Sequence, residues 1–169
     1  QLKELWENPE AEGRHLFYAI QLMKKRLEAD NTDVDALKFL IHFMGDLHQP
    51  MHLARAEDLG GNKVPFTWFG TTTNIHSLWD SYLIEHYQMS FTELAKYLID
   101  TNNKRKEELT ALTIPEILAN SFDITRRIYA YDPEDKNNYR YFQAFRRDLD
   151  TMLYLGGIKL AEVLNEIYQ

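Results

Sequence analysis

The chain has 169 residues, 44% of them hydrophobic and 27% charged, with a formal net charge of −7 and no cysteine. That is the size and balance of one domain able to bury a core, and it excludes thiolate metal sites, disulfide frameworks and a cysteine nucleophile. The acidic surplus argues against a broad nucleic-acid-binding face, because phosphate recognition draws on lysine and arginine, although bound divalent ions would offset it.

The predicted elements are helical almost throughout. Leu16, Ala19, Ile20 and Met23 share one face of a helix over 14–29, with Lys24, Lys25 and Arg26 toward water. Asn31-Thr32-Asp33 is a capping break, and Val34 to Gln49 forms the next helix, stopped by Pro50. Residues 53–74 hold Gly60-Gly61-Asn62, Pro65 and Phe66-Thr67-Trp68-Phe69-Gly70, which reads as a long loop with a small β-hairpin near 62–70. Helix resumes from Ile75 to about Tyr87 and again from Ser90 to about Leu112, with a kink or break at 101–106. Thr113-x-x-Glu116 is a capping box with Pro115 in the first turn of a helix to about Ala130. Asp132-Pro133 breaks the chain, and a last helix covers about 135–168, where Gly156-Gly157 predicts close packing against a neighbour. No internal repeat and no low-complexity segment is present. No apolar run approaches the roughly 20 residues of a membrane span, and no export signal is legible at Gln1.

The side chains that carry chemistry lie between residues 42 and 80. They read His42-x3-Asp46-x5-His52, then His76-x3-Asp80. Residues four apart share one face of a helix, and imidazole nitrogen with carboxylate oxygen is a donor set zinc accepts. On the helix from Val34, the residues Leu37, Leu40, Ile41, Met44 and Leu47 cover one broad side, with Phe39 and Phe43 flanking it. Lys38, His42 and Asp46 form a narrow polar stripe. Either that stripe faces solvent, or the helix is buried all round and the charges are compensated by a partner or an ion. His48 falls on the opposite side, where it reads as a satisfied core histidine, and Gln49 has no assigned role. Pro50 can redirect the chain so that His52 returns to the side of Asp46. His76 and Asp80 alone would be an ordinary surface ion pair; Glu85 and His86 read as surface residues, and His15 as structural or exposed.

Residues 36–80 resemble the zinc-dependent single-strand-specific nucleases of the S-one/P-one type, related to zinc-dependent phospholipase C. The matching stretches are His42-Phe-Met-Gly-Asp46-Leu-His-Gln-Pro-Met-His52, Gly60-Gly61-Asn62, Trp68-Phe69 and Asn74-Ile-His76-Ser-Leu-Trp79-Asp80, joined by Leu155-Gly156-Gly157 through Asn165 in the last helix. The resemblance implies an all-α, multi-helix fold with three zinc ions in a cleft. It places His42 and Asp46 on the first zinc, with Asp46 bridging to the third. His52, His76 and Asp80 fall on the second, and Asn62 near the scissile phosphate. It implies hydrolysis of single-stranded DNA and RNA to 5′-phosphate products, with 3′-nucleotidase activity, in a secreted or periplasmic protein. Paired zinc ions activate water and clamp phosphoryl oxygens without a protein nucleophile, which suits a chain with no cysteine.

The family's other zinc ligands lie upstream of its first matched motif. The chain therefore reads as one helical domain over 1–169, the C-terminal two-thirds of a larger zinc nuclease domain, with a full ligand set only for the second zinc. It is expected to expose apolar surface, to bind zinc weakly and to hydrolyse little, as a monomer with no protein partner. Two other functions remain open: phospholipase C-like or phosphomonoesterase action on the same cluster, and a non-catalytic helical module. The aromatics Phe66, Trp68 and Phe69 either stack a nucleobase or pack beneath the loop.

Overall fold

The computed structural model describes residues 2–8, 15–132 and 135–168. A short helix, α1 (Leu2–Glu7), precedes the predicted elements. Helix α2 (Leu16–Ala29) starts at His15, whose ring accepts the Tyr18 amide, and buries Phe17, Ile20, Met23 and Leu27. Helix α3 (Val34–Leu47) starts at Asp33, whose carboxylate accepts the Ala36 amide at 2.9 Å. It buries Ala36, Leu40, Met44 and Leu47 against α2 and Leu118. Ile41 does not join that side. It is 45% exposed beside Phe39 at 52%, because a residue next to Leu40 lies about 100° round the helix. The polar stripe of Lys38 and His42 is exposed, so the reading of α3 as buried all round does not hold.

Past His48 the chain turns extended at Gln49, as a residue before proline must, and enters a 3₁₀ turn, Pro50–Leu53. A second 3₁₀ turn, Ala56–Asp58, leads into Leu59, Gly60 and Gly61, all with positive φ. The hairpin predicted near 62–70 exists and extends to Asn74. Its strands are β1 (Pro65–Trp68) and β2 (Thr71–Asn74), paired antiparallel from Pro65↔Asn74 to Trp68↔Thr71. Phe69 and Gly70 form its two-residue turn, both at positive φ, the geometry that matches strand twist. The β-branched run Thr71-Thr72-Thr73 is therefore the second strand rather than loop.

The next helix is continuous but changes pitch. It runs α4 (Ile75–Ser77), a π-helical turn (Leu78–Tyr82) and α5 (Leu83–Glu85). Helix α6 (Phe91–Asn102) opens with a Ser90–Glu93 capping box, and the expected break is a 3₁₀ turn at Asn103–Arg105 before α7 (Lys106–Thr110). The Thr113–Glu116 capping box starts α8 (Ile114–Ala130) as its spacing predicts. Pro133 lies outside the described residues, and the long last helix, α9, is Asn138–Tyr168. This all-α arrangement with one small hairpin matches the expected fold class. No helix among the described residues is long and apolar enough to cross a membrane.

A second core joins the hairpin, the α4–α5 helix, α8 and α9 around Trp79, Tyr141, Phe145 and Leu149. Trp79 donates to the Tyr141 hydroxyl at 3.0 Å, and burial pushes that phenol's pKa upward. Gly156 meets the expectation of close packing, since a Cβ there would stand 3.4 Å from His48 Cγ. Gly157 does not; among the described residues, no neighbour outside its own helix turn lies within 4 Å of its Cβ position.

Candidate metal centre

Three elements bring the five predicted ligands together. Helix α3 carries His42 and Asp46, the Pro50 turn carries His52, and the α4–π segment carries His76 and Asp80. His42 Nε2 lies 3.3 Å from Asp46 Oδ2, and His52 Nδ1 lies 3.3 Å from Asp46 Oδ1. His52 Nε2 and His76 Nε2 stand 3.2 Å from the two oxygens of Asp80. The His52 and His76 rings stack at 5.1 Å. The five side chains thus form one row, His42–Asp46–His52–Asp80–His76. His42 is its open end, with a side chain 66% exposed against 19% for His76. Asp80 sits on the π-helical turn, a distortion common at functional positions.

The surroundings fix which nitrogen faces inward. His76 Nδ1 donates to the Gly60 carbonyl at 2.8 Å, which leaves Nε2 toward Asp80. A neutral His76 therefore points a lone pair at a carboxylate, and His52 faces carboxylates through both nitrogens. Such pairs require a proton or a cation between them.

Gly60 and Gly61 allow this approach. A Cβ on Gly60 would lie 2.6 Å from the Met51 carbonyl oxygen, and one on Gly61 would lie 2.5 Å from Ile75 Cγ1, both at positive φ. Asp58 anchors the loop by accepting the Gly61 amide at 2.7 Å and the Tyr129 hydroxyl at 2.8 Å. Burial and that carboxylate push the Tyr129 phenol up to about 12.

Gln49, which has no role in the sequence reading, is part of the site. Its Nε2 donates to Asp80 Oδ1 at 2.7 Å, and its Oε1 accepts the Met51 amide. One signal marks it in sequence: a polar residue directly before proline at the start of a turn. The Thr125 hydroxyl reaches the Pro50 carbonyl at 2.9 Å and ties the His52 turn to α8.

The donor set fits zinc. Ligand atoms of His52, His76 and Asp80 all lie within 4.8 Å of one another. Two ligands at tetrahedral angles and ordinary zinc bond lengths stand about 3.3 Å apart, close to the 3.2 Å separations at Asp80. A cavity of about 370 Å³ opens beside the row, lined by Asp46, His52 and Asp80 on one side and by Leu153, Gly156 and Gly157 on the other.

Other expectations resolve individually. Asn62 is exposed, and its amide turns back to the Leu59 carbonyl at 2.9 Å. His48 is buried, with Nδ1 donating to the Met44 carbonyl at 2.8 Å. Its Nε2 has no partner among the described residues, so it is only half satisfied. Burial lowers its pKa. His86 is not a plain surface residue, because it packs among Trp68, Phe69 and Phe142. Phe66 and Trp68 pack inward, Trp68 at 6% exposure, while Phe69 is 45% exposed.

The chain is similar in sequence to known proteins. The family model described as S1/P1 Nuclease matches residues 6–169. Endonuclease 1 of Arabidopsis thaliana is 48% identical over 157 residues, covering 79% of this chain and 50% of the relative. Endonuclease 2 of the same plant is 30% identical over 171 residues, covering 89% of this chain and 59% of the relative. Nuclease S1 of Aspergillus oryzae is 44% identical over 61 residues, 35% of this chain and 21% of that protein. The chain spans about half the length of the plant relatives it matches. With a family match over nearly its whole length, this chain belongs to the S1/P1 nuclease family.

Proposed function

We propose that this chain carries the second zinc site of a phosphodiesterase that cuts single-stranded DNA and RNA to 5′-phosphate products, with 3′-nucleotidase activity in the whole protein. The observation that carries the reading is the convergence of His52, His76 and Asp80, backed by Gln49 and the Gly60 carbonyl. In this reading His52, His76 and Asp80 hold one zinc. His42 and Asp46 would offer part of a second set, and Asp46 would also serve a third ion. Bound zinc would supply a Lewis acid that activates water and neutralises phosphoryl oxygens. The protein's own part is to hold the donors in register. Gly60 fixes the His76 ring, Gln49 holds Asp80, and Asn62 would reach the scissile phosphate by turning its amide away from the Leu59 carbonyl. The reading places the whole protein outside the cytoplasm.

The described residues group three ligands in one set, and His42 and Asp46 would supply only part of another, so the 169-residue chain binds zinc weakly and cleaves slowly. The test is zinc content after loading, by elemental analysis, together with cleavage of an end-labelled single-stranded oligonucleotide. One zinc per chain and slow cleavage to 5′-phosphate ends are expected, both lost in Asp80→Asn. Absence of zinc after loading, or cleavage that survives Asp80→Asn, overturns the reading. Hydrolysis of a choline phospholipid in place of the oligonucleotide would move the substrate to the lipid side.

A further inference from the structure

Away from the metal centre, α6, the Asn103–Arg105 turn and α9 enclose a cleft of about 530 Å³. Four cations line it: Lys104, Arg105, Arg146 and Arg147. The carboxylates set against them are Asp150, at the floor, and Glu108, which pairs with Arg105 at 2.9 Å. Four positive charges against two negative ones leave a local excess of positive charge on a chain whose net charge is −7. The acidic composition therefore conceals a basic patch.

The cleft is built rather than incidental. Asp150, 5% exposed at its side chain, accepts the Tyr97 hydroxyl at 2.9 Å and the Tyr87 hydroxyl. Tyr97 in turn receives Arg146 through Nε at 3.2 Å and Nη2 at 2.6 Å. This relay fixes the Arg146 guanidinium and leaves Nη1 without a hydrogen-bond partner among the described residues. A guanidinium held in advance loses little freedom when it binds an anion. Packing of α6 against α9 accounts for Arg146, Tyr97 and Asp150, but not for the rim. Lys104 and Arg147 are exposed, and neither makes a hydrogen bond or ion pair among the described residues. Arg147 stands only within Coulombic reach of Glu108.

We propose that this cleft is an accessory site for the phosphodiester backbone of single-stranded nucleic acid, separate from the zinc ligands. The choice of ligand rests on the nuclease reading; the cation excess itself favours a polyanion. Backbone contacts by guanidinium and ammonium groups read no base, so the site adds affinity without sequence preference.

The test measures binding without chemistry. A fluorescent oligothymidylate is titrated with the chain in excess chelator, which silences the zinc site, over a graded series of salt concentrations. Each phosphate contact on a single strand contributes about 0.7 to the slope of log affinity against log salt. Lys104→Gln with Arg147→Gln, both exposed and remote from the core, should lower that slope by about 1.4 with circular dichroism unchanged. An abasic strand should bind as the oligothymidylate does. An unchanged slope in the double variant overturns the proposal, as does binding of inorganic phosphate without binding of the strand. Binding with the expected slope but no cleavage under zinc would sink the nuclease reading alone. Cleavage with an unchanged slope would sink the accessory site alone.

Discussion

Gln49→Ala removes the donor that holds Asp80 Oδ1 and the acceptor that caps the Met51 amide. Groups that orient a ligand in this way typically contribute about 10–100-fold in metal affinity. Zinc affinity should fall by about that factor in a competition with a chromophoric chelator, while the helical signal stays unchanged. Gly61→Ala acts through the backbone instead. Its Cβ meets Ile75 Cγ1 at 2.5 Å on a φ of +86°, so strain and overpacking combine to a loss of about 2–4 kcal/mol in urea unfolding. The two sites differ in how visible they are beforehand. The glycine pair announces an unusual backbone, whereas the partner of Gln49 lies 31 residues away on another element.

At the level of elements, the turn that carries His52 depends on α8. Thr125→Val keeps the shape but deletes the hydroxyl shared between the Pro50 and Ser121 carbonyls. Loss of about 1–2 kcal/mol is expected, measured by urea unfolding, with faster hydrogen exchange at the amides of the Pro50–Leu53 turn. The elements themselves were largely legible: capping boxes at Ser90 and Thr113 open α6 and α8 where the spacing places them. The hairpin reaches Asn74, past the predicted bounds, because its turn is Phe69-Gly70, both at positive φ. Phenylalanine gives no sign of that conformation, so the position of the turn is not legible locally. The π-helical turn under Asp80 was also hidden, because local sequence does not distinguish it from an α-helix.

For the whole molecule, zinc should act as a stabilising ligand. A ligand that binds only the folded state at about 100 times its Kd adds about 2.7 kcal/mol. In a domain of this size that is roughly 5–10 °C in Tm. Differential scanning fluorimetry should show that rise for the native chain, reversal by chelator, and no rise for Asp80→Asn. Absence of any shift would mean that the His52–His76–Asp80 group does not hold the ion in this chain. The exposed apolar side of α3, at Phe39 and Ile41, adjoins the exposed His42.

The sequence alone determined the helical class, most helix starts and which His and Asp residues are candidates for a metal, because periodicity, capping chemistry and i,i+4 spacing are local properties. Only the tertiary structure decided that the two His-x3-Asp pairs form one row. That required the Pro50 turn to fold back, Gly60 to approach His76 and Gly61 to approach Ile75, and α8 to hold the turn in place. It also decided that His86 is packed, that His48 is half satisfied, and that four cations from α9 and the Asn103–Arg105 turn share one cleft. Each of these depends on side chains distant in sequence meeting across packed elements, and no local pattern encodes such a meeting.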